Sequence, residues 1–229
     1  MNVRLLPIAA AALILAACAT PPQRPITLTH ASVNSSSVRV GVAMTALPKV
    51  DTSFPGAGCL LCMAAASVAN SSLTSHARTL PYEDLPQLKQ QIAELIRKKN
   101  PNVVVIDEPI NMSALSDVSA SGPGVSRKDF SSFAGKYQID KLVVIDIQTL
   151  GFLRTYSAYI PTAEPKGVFA GTGYLVNLKN NHYEWYVPAN ILRSASGKWD
   201  EPPKFPGLTN AYFQALELGK DSFLKPLSN

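Results

Sequence analysis

Residues 141–147 read Lys141-Leu142-Val143-Val144-Ile145-Asp146-Ile147, and the fold turns on them. Four apolar residues in a row, most of them β-branched, do not alternate with polar ones. A half-solvated strand would alternate; a continuous run fits a strand covered on both faces. The pattern predicts a central strand that runs on to about Tyr159.

Upstream, Ser126-Arg127-Lys128-Asp129 has the form of a capping box. It predicts a helix whose buried stripe is Phe130, Phe133, Ala134 and Tyr137. A loop over 109–125, with Gly122-Pro123-Gly124, precedes it, and Val103-Val104-Val105-Ile106 reads as another doubly covered strand. Before that, Asp84-Leu85-Pro86-Gln87 predicts a capped helix start. Leu88, Ile92, Leu95 and Ile96 share its face, and Asn100-Pro101 stops it. Strand one is the alternating Val38-Arg39-Val40-Gly41-Val42-Ala43-Met44, ended by Pro48.

Downstream, 169–178 and 183–192 predict a hairpin turned by Lys179-Asn180-Asn181-His182. Tyr183, Trp185 and Val187 share one face, and Pro188 marks the second strand as an edge or a bulge. A helix over about 208–224, with Tyr212, Leu216 and Phe223 on one side and Gly219 interrupting it, closes the chain. The order is β-α-β-α-β-β-β-α: an α/β fold with a mixed sheet and helices packed on it.

Ahead of this domain, Leu5 to Ala17 is apolar, with Arg4 the sole charge before it, and Leu15-Ala16-Ala17-Cys18 follows. The run is too short to span a bilayer, which takes roughly 20 residues, and it fits the apolar region of a secretory signal. Small residues before a cysteine resemble the lipobox of bacterial lipoproteins. The resemblance implies cleavage before Cys18 and lipid on it, with Ala19 in the position that implies outer-membrane sorting. The chain therefore divides into a signal peptide (1–17), a lipidated tether (18–37, with Pro21, Pro22, Pro25 and Ser35-Ser36-Ser37) and a single periplasmic domain (38–229). Of 21 Lys and Arg only Arg4 is lost with the signal, so the mature chain stays weakly basic. It has no basic run suited to nucleic acid; Arg97-Lys98-Lys99 complements a helix end.

Residues 51–81 are an apolar insertion. Cys59 to Ala69 is almost wholly apolar and small, either a buried helix or an exposed patch. Leu60, Leu61 and Met63 are the candidate partner or membrane contact. Cys59 and Cys62 form a C-x-x-C pair, a candidate disulfide in an exported chain. Redox chemistry would need a helix start and an electropositive setting. No charged residue lies between Asp51 and Arg78, which favours two buried or locally bridged cysteines. Zinc would take about four ligands, and His30, His76 and His182 are scattered.

The element order, strand one, the Lys141–Ile147 unit and the hairpin Gly173–Leu178 with Tyr183-Glu184-Trp185-Tyr186 resemble a known group. It comprises the amino-terminal domain of TolB, the periplasmic domain of the curli secretion lipoprotein CsgG and the lipoproteins that activate penicillin-binding proteins. The resemblance covers about 38–224. Curli-type channels add two membrane-spanning hairpins; residues 51–81 lack the alternating segments these require.

No G-x-S-x-G, H-E-x-x-H or phosphate loop occurs. Asp107, Glu108, Asp146 and Glu184 fall at or near strand positions, where solvated or paired side chains are the ordinary case. No catalytic residue, metal, cofactor or small-molecule substrate is expected. The expectation is a non-enzymatic, outer-membrane, lipid-anchored protein whose domain binds or scaffolds an envelope protein. The alternatives are an oligomeric subunit of an export complex and, less favoured, a redox or hydrolytic enzyme.

Overall fold

A computed structural model describes residues 22–118 and 122–228. Cys18, the signal peptide and the start of the tether lie outside the described residues. The core is a mixed sheet ordered β3 (Val103–Val105), β1 (Val40–Met44), β4 (Lys141–Leu153), β7 (Lys166–Asn177), β8 (His182–Ser194). Its spine is β4 (Lys141–Leu153), thirteen residues long, with Leu142 to Ile145 fully buried. β1 (Val40–Met44) lies parallel to the first half of β4, Val42 opposite Val143. β2 (Val50–Ser53) lies parallel to the second half, Thr52 opposite Phe152. The chain that Pro48 interrupts therefore resumes as a strand along the same side of β4. β3 (Val103–Val105) pairs with β1 at the edge and is only half-buried, so its apolar run is not doubly covered.

β7 (Lys166–Asn177) and β8 (His182–Ser194) form the antiparallel hairpin and complete the mixed sheet. Both strands are longer than the sequence pattern predicts. Pro188 sits on edge strand β8, and a bulge between Leu175 and Val176 leaves Glu184 without an opposite residue in the ladder. A second bulge, at Gln148, shifts the register of β4 against β7.

Helices cover one face. α4 (Leu88–Arg97) buries Leu88, Ile92, Ala93 and Ile96. α6 (Pro206–Ser228) buries Leu208, Tyr212, Leu216, Phe223 and Leu227 at helical spacing. They meet Val143, Ile145, Phe169, Leu175 and Trp185 from the sheet. Each such large side chain contributes about 1.5–3 kcal/mol on burial. Gly219 does not interrupt α6: a Cβ there would come within 2.3 Å of the Phe169 ring, so glycine lets the helix press onto β7.

The opposite face is covered at one end by α5 (Ser132–Tyr137) and the preceding loop, around Phe130, Val144, Tyr174 and Val176. α5 starts later than the capping pattern predicts. Ser126 Oγ accepts from the Lys128 amide and Asp129 from Ser131, so both side chains shape a turn. Asp84 likewise makes no cap. Residues 85–87 form a 3-10 turn, and Asp84 accepts from Gln91 and Lys220.

The tether also differs from expectation. Ile26 exchanges two backbone hydrogen bonds with Tyr186, at 2.8 and 3.0 Å. Leu28 and Val33 are buried in the main core, and α1 (Ala31–Asn34) packs with them. Apolar residues at 26, 28 and 33 are what dock this stretch to the domain.

Candidate functional site

The segment between β2 and α4 builds a surface feature with its own small core. α2 (Leu60–Ala69) begins where Cys59 serves as N-cap, its sulfur accepting from the Cys62 amide at 2.9 Å. Cys62 and Ala66, one turn apart, are the buried residues of α2, set against Phe54, Ala57 and Tyr156. Phe54 and Tyr156 meet edge to face at 5.8 Å. Gly56, at φ +90°, lies so close to the Tyr156 carbonyl that no Cβ fits. This turn thus clasps the short strand β5 (Tyr156–Ser157), which pairs with β6 (Ile160–Pro161).

Asn70 locks the far end of α2. It is buried and donates to the Ala66 carbonyl and the Tyr156 hydroxyl, at 2.7 and 2.6 Å. Its own carbonyl accepts from Arg154 at 2.8 Å. α3 (Ser71–Ala77) continues from it and is tied to α6 where His76 Nε2 meets Thr209 Oγ1 at 2.7 Å. Burial, and secondarily the charge of Lys204, lower the His76 pKa.

With that inner face satisfied, the rest of α2 points to solvent. Leu60 is 87% exposed, Leu61 70%, Val68 76% and Met63 42%. The buried-helix and exposed-patch readings of 59–69 each hold in part: the segment is a helix packed through Cys62 and Ala66, with its other large apolar side chains exposed. Tyr159 and Ile160, at the β5–β6 turn, are also exposed. The Tyr159 hydroxyl stands 3.7 Å from the Cys59 sulfur. A groove of about 510 Å³ opens beside this ridge, walled by Phe54, Met63, Leu153, Val168 and Leu192.

Cys59 and Cys62 are joined as a disulfide. They are not both buried: Cys62 is interior and Cys59 lies at the surface. The helix start that redox chemistry would use is present, but the side chains that follow Cys59 on it, Leu60 and Leu61, are apolar. Tyr159 and Leu192 escape a sequence reading because they lie about 100 and 130 residues from the ridge. Only the fold brings Tyr159 against Cys59 and Leu192 into the groove that Met63 walls.

The strand-end carboxylates are dispersed and partnered. Lys89 holds Asp107 at 3.3 Å and Lys136 holds Glu108 at 2.9 Å. Lys141 holds Glu184 at 2.6 Å. Burial would raise the Glu184 pKa, but the bonds from Lys141 and Asn177 outweigh it and lower it. Asp146 accepts from Thr45 and Gln148. Among the described residues no three His, Cys, Asp or Glu side chains gather as a metal site. Nor is any described helix long and apolar enough to cross a membrane.

No protein-family model and no curated protein matches the chain. Among solved structures it is similar to protein XCC0632 from Xanthomonas campestris, with 11% identity, 91% of this chain and 90% of that one covered, and a TM-score of 0.38. It is similar to the PelC dodecamer from Paraburkholderia phytofirmans, with 8% identity, 85% and 92% covered, and a TM-score of 0.31. It is also similar to lipoprotein GNA1162 from Neisseria meningitidis, with 11% identity, 79% and 96% covered, and a TM-score of 0.28. Superpositions this loose carry no argument about activity or partners.

Proposed function

We propose that this chain is a non-enzymatic lipoprotein with a TolB- or CsgG-like domain. It is anchored in the outer membrane through Cys18, and its periplasmic domain docks another envelope protein. One observation carries the reading: α2 presents Leu60 and Leu61 largely to solvent beside an apolar groove. Contiguous apolar surface of this kind marks an interaction site. A concave groove flanked by projecting leucines suits the side chains of a protein partner better than a flat lipid surface, which would leave the groove unfilled. The disulfide and Asn70 hold the ridge in shape before binding, which lowers the ordering cost of association.

Crosslinking in intact cells, with purification of the lipidated form and mass identification, tests this. The expected result is one defined envelope partner, lost when Leu60, Leu61 and Met63 are changed to Ser. A partner retained in that variant, or none recovered, overturns the reading. Mass measurement of the mature amino terminus tests lipid on Cys18 separately.

The ridge and groove also favour a second reading, self-association. A projecting patch and a separate pocket on one chain are the ingredients of a head-to-tail contact, which closes into a ring when the rotation permits. Recovery of a large homo-oligomer in detergent, dispersed by the same substitutions, would select it.

A further inference from the structure

A second concavity, of about 540 Å³, lies on the sheet face opposite α4 and α6, next to the area that α5 covers. Its size is that of a small-molecule site, and its walls mix aromatic and apolar side chains with charged and polar ones. Tyr174 from β7 and Tyr183 and Tyr186 from β8 line it. Their ring centroids stand 5.1 to 6.2 Å apart. Asp146 from β4 is at one side. Arg127 and Lys128, from the loop ahead of α5, are at another.

The charges there are unequal in their partners. Lys128 is paired with Asp117 at 2.8 Å and donates to the Leu115 carbonyl. Asp146 has only neutral donors, Thr45 and Gln148, each at 2.9 Å. Among the described residues no Lys, Arg or His forms a salt bridge with it. A half-buried carboxylate beside aromatic faces attracts a cation. The tyrosines register both ends of this field. Beyond the effect of burial, Asp146 raises the pKa of Tyr174 and Tyr186, while Arg127 acts to lower that of Tyr183 and Tyr186. The cavity thus carries the Asp146 carboxylate and the Arg127 guanidinium, and the tyrosine rings that line it feel both charges.

We propose that this cavity binds an ethanolamine phosphate group, its ammonium on Asp146 and the tyrosine faces and its phosphate on Arg127. A primary ammonium supplies N–H donors that the open lone pairs of Asp146 can accept, and a quaternary ammonium supplies none. A guanidinium fits phosphate with two parallel bonds. The group could be carried by a phospholipid headgroup or by a soluble phosphodiester. Chain length favours the first, and this step rests on the lipid-anchor reading. Pro22 and Gln23 line the cavity, and the Gln23 side chain accepts from the Gly124 amide at 2.8 Å. Pro22 stands four residues from Cys18, at most about 14 Å of extended chain. A lipid on Cys18 therefore holds the cavity close to the headgroups of its own membrane.

Titration calorimetry of the full-length protein in detergent, with glycerophosphoethanolamine, glycerophosphocholine and glycerol phosphate, tests the chemistry. Glycerophosphoethanolamine should bind best. Asp146→Asn, which keeps the shape, and Arg127→Gln should each weaken it about tenfold, as expected for a lost charged hydrogen bond. Unchanged melting temperatures would show that both variants fold. Equal binding of all three probes, no binding at millimolar concentration, or no effect of Asp146→Asn would overturn the proposal. Nanodiscs with and without phosphatidylethanolamine distinguish the sources. Lipid retained by wild type but not by Asp146→Asn assigns the headgroup. Binding of the soluble probe alone keeps the ethanolamine phosphate site and removes the membrane step. Because the soluble probe needs no anchor, failure of Cys18 lipidation would not be mistaken for failure of the site.

Discussion

Lys220, in the middle of α6, is buried to 7% side-chain exposure, and its ammonium is bonded to Asp84 at the turn that leads into α4. Glu217 on the same helix is a second partner at 2.8 Å. The two helices that cover the sheet are thus joined at their contact by a charge.

Lys220→Met should lower stability by about 1–2 kcal/mol at pH 7. It keeps the apolar stem but removes the cation from Asp84, which at 40% exposure still finds water. The sign with pH follows from the shifts. The Lys220 bond lowers the Asp84 pKa, so its stabilisation is present above the unfolded value of about 3.9 and is lost as pH falls through the folded value. Burial would lower the Lys220 pKa, but bonds to Asp84 and Glu217 outweigh it and raise it. That contribution is lost only as pH rises through the folded lysine value, above about 10.4. Urea unfolding of both proteins should show the gap at pH 7 and its closure in acid.

Gly219→Ala should cost about 1–3 kcal/mol, the range for overpacking, although alanine is the better helix former. The new methyl would fall 2.3 Å from the Phe169 ring. Adding Phe169→Leu should recover part of the loss, a coupling visible in a double-mutant cycle of melting temperatures. Simple additivity would mean that helix and strand can move apart freely.

His76 should make the protein weaker in mild acid. Its folded pKa is below the unfolded value of about 6.5, first through burial and then through Lys204. The native state then binds fewer protons, so its contribution is full above about pH 6.5 and is lost as pH falls through the folded value. Protonation would place a charge between the rings of Phe152 and Phe205. Comparing wild type with His76→Gln at pH 7.5 and 5.5 should show the larger decline in wild type. Equal declines would show that His76 titrates as if exposed.

The spine of the fold was legible because its signals are local. The unbroken run Leu142–Ile145, the helical spacing of Leu88, Ile92 and Ile96, and the asparagines of the hairpin turn each specify their element alone. The misses came from contacts distant in sequence. Nothing near Gly219 announces the Phe169 ring, and nothing near Val50 announces the second half of β4. Asp84 has a capping side chain, but Lys220, far along the chain, takes it; Ser126 is the local exception, its side chain spent on a turn with Lys128. The ridge was half legible: the apolar run Cys59–Ala69 stood out, while its exposure depends on how little of α2 the Phe54–Tyr156 cluster can cover. Asp146 stood out only as a strand carboxylate, because the tyrosines beside it come from two other strands.

The Cys59–Cys62 bridge should behave as a structural clip. It closes a loop of four residues, for which the chain-entropy model gives about 2 kcal/mol. Replacing both cysteines with Ser should therefore lower stability by up to that amount without unfolding the domain, since the main core does not include them. Their surroundings decide between clip and catalyst. A position at a helix start favours a thiolate on Cys59. Against that, Cys62 is buried and the exposed neighbours, Leu60 and Leu61, offer no stabilising charge. Equilibration with dithiothreitol buffers should give a potential below about −300 mV, in the range of structural disulfides. A value near −200 mV, with a Cys59 thiol that reacts rapidly at pH 7, would move the bridge into the catalytic class. The ridge would then be the surface on which a thiol substrate docks, and changing Leu60 and Leu61 to Ser would slow its exchange with protein substrates but not with dithiothreitol.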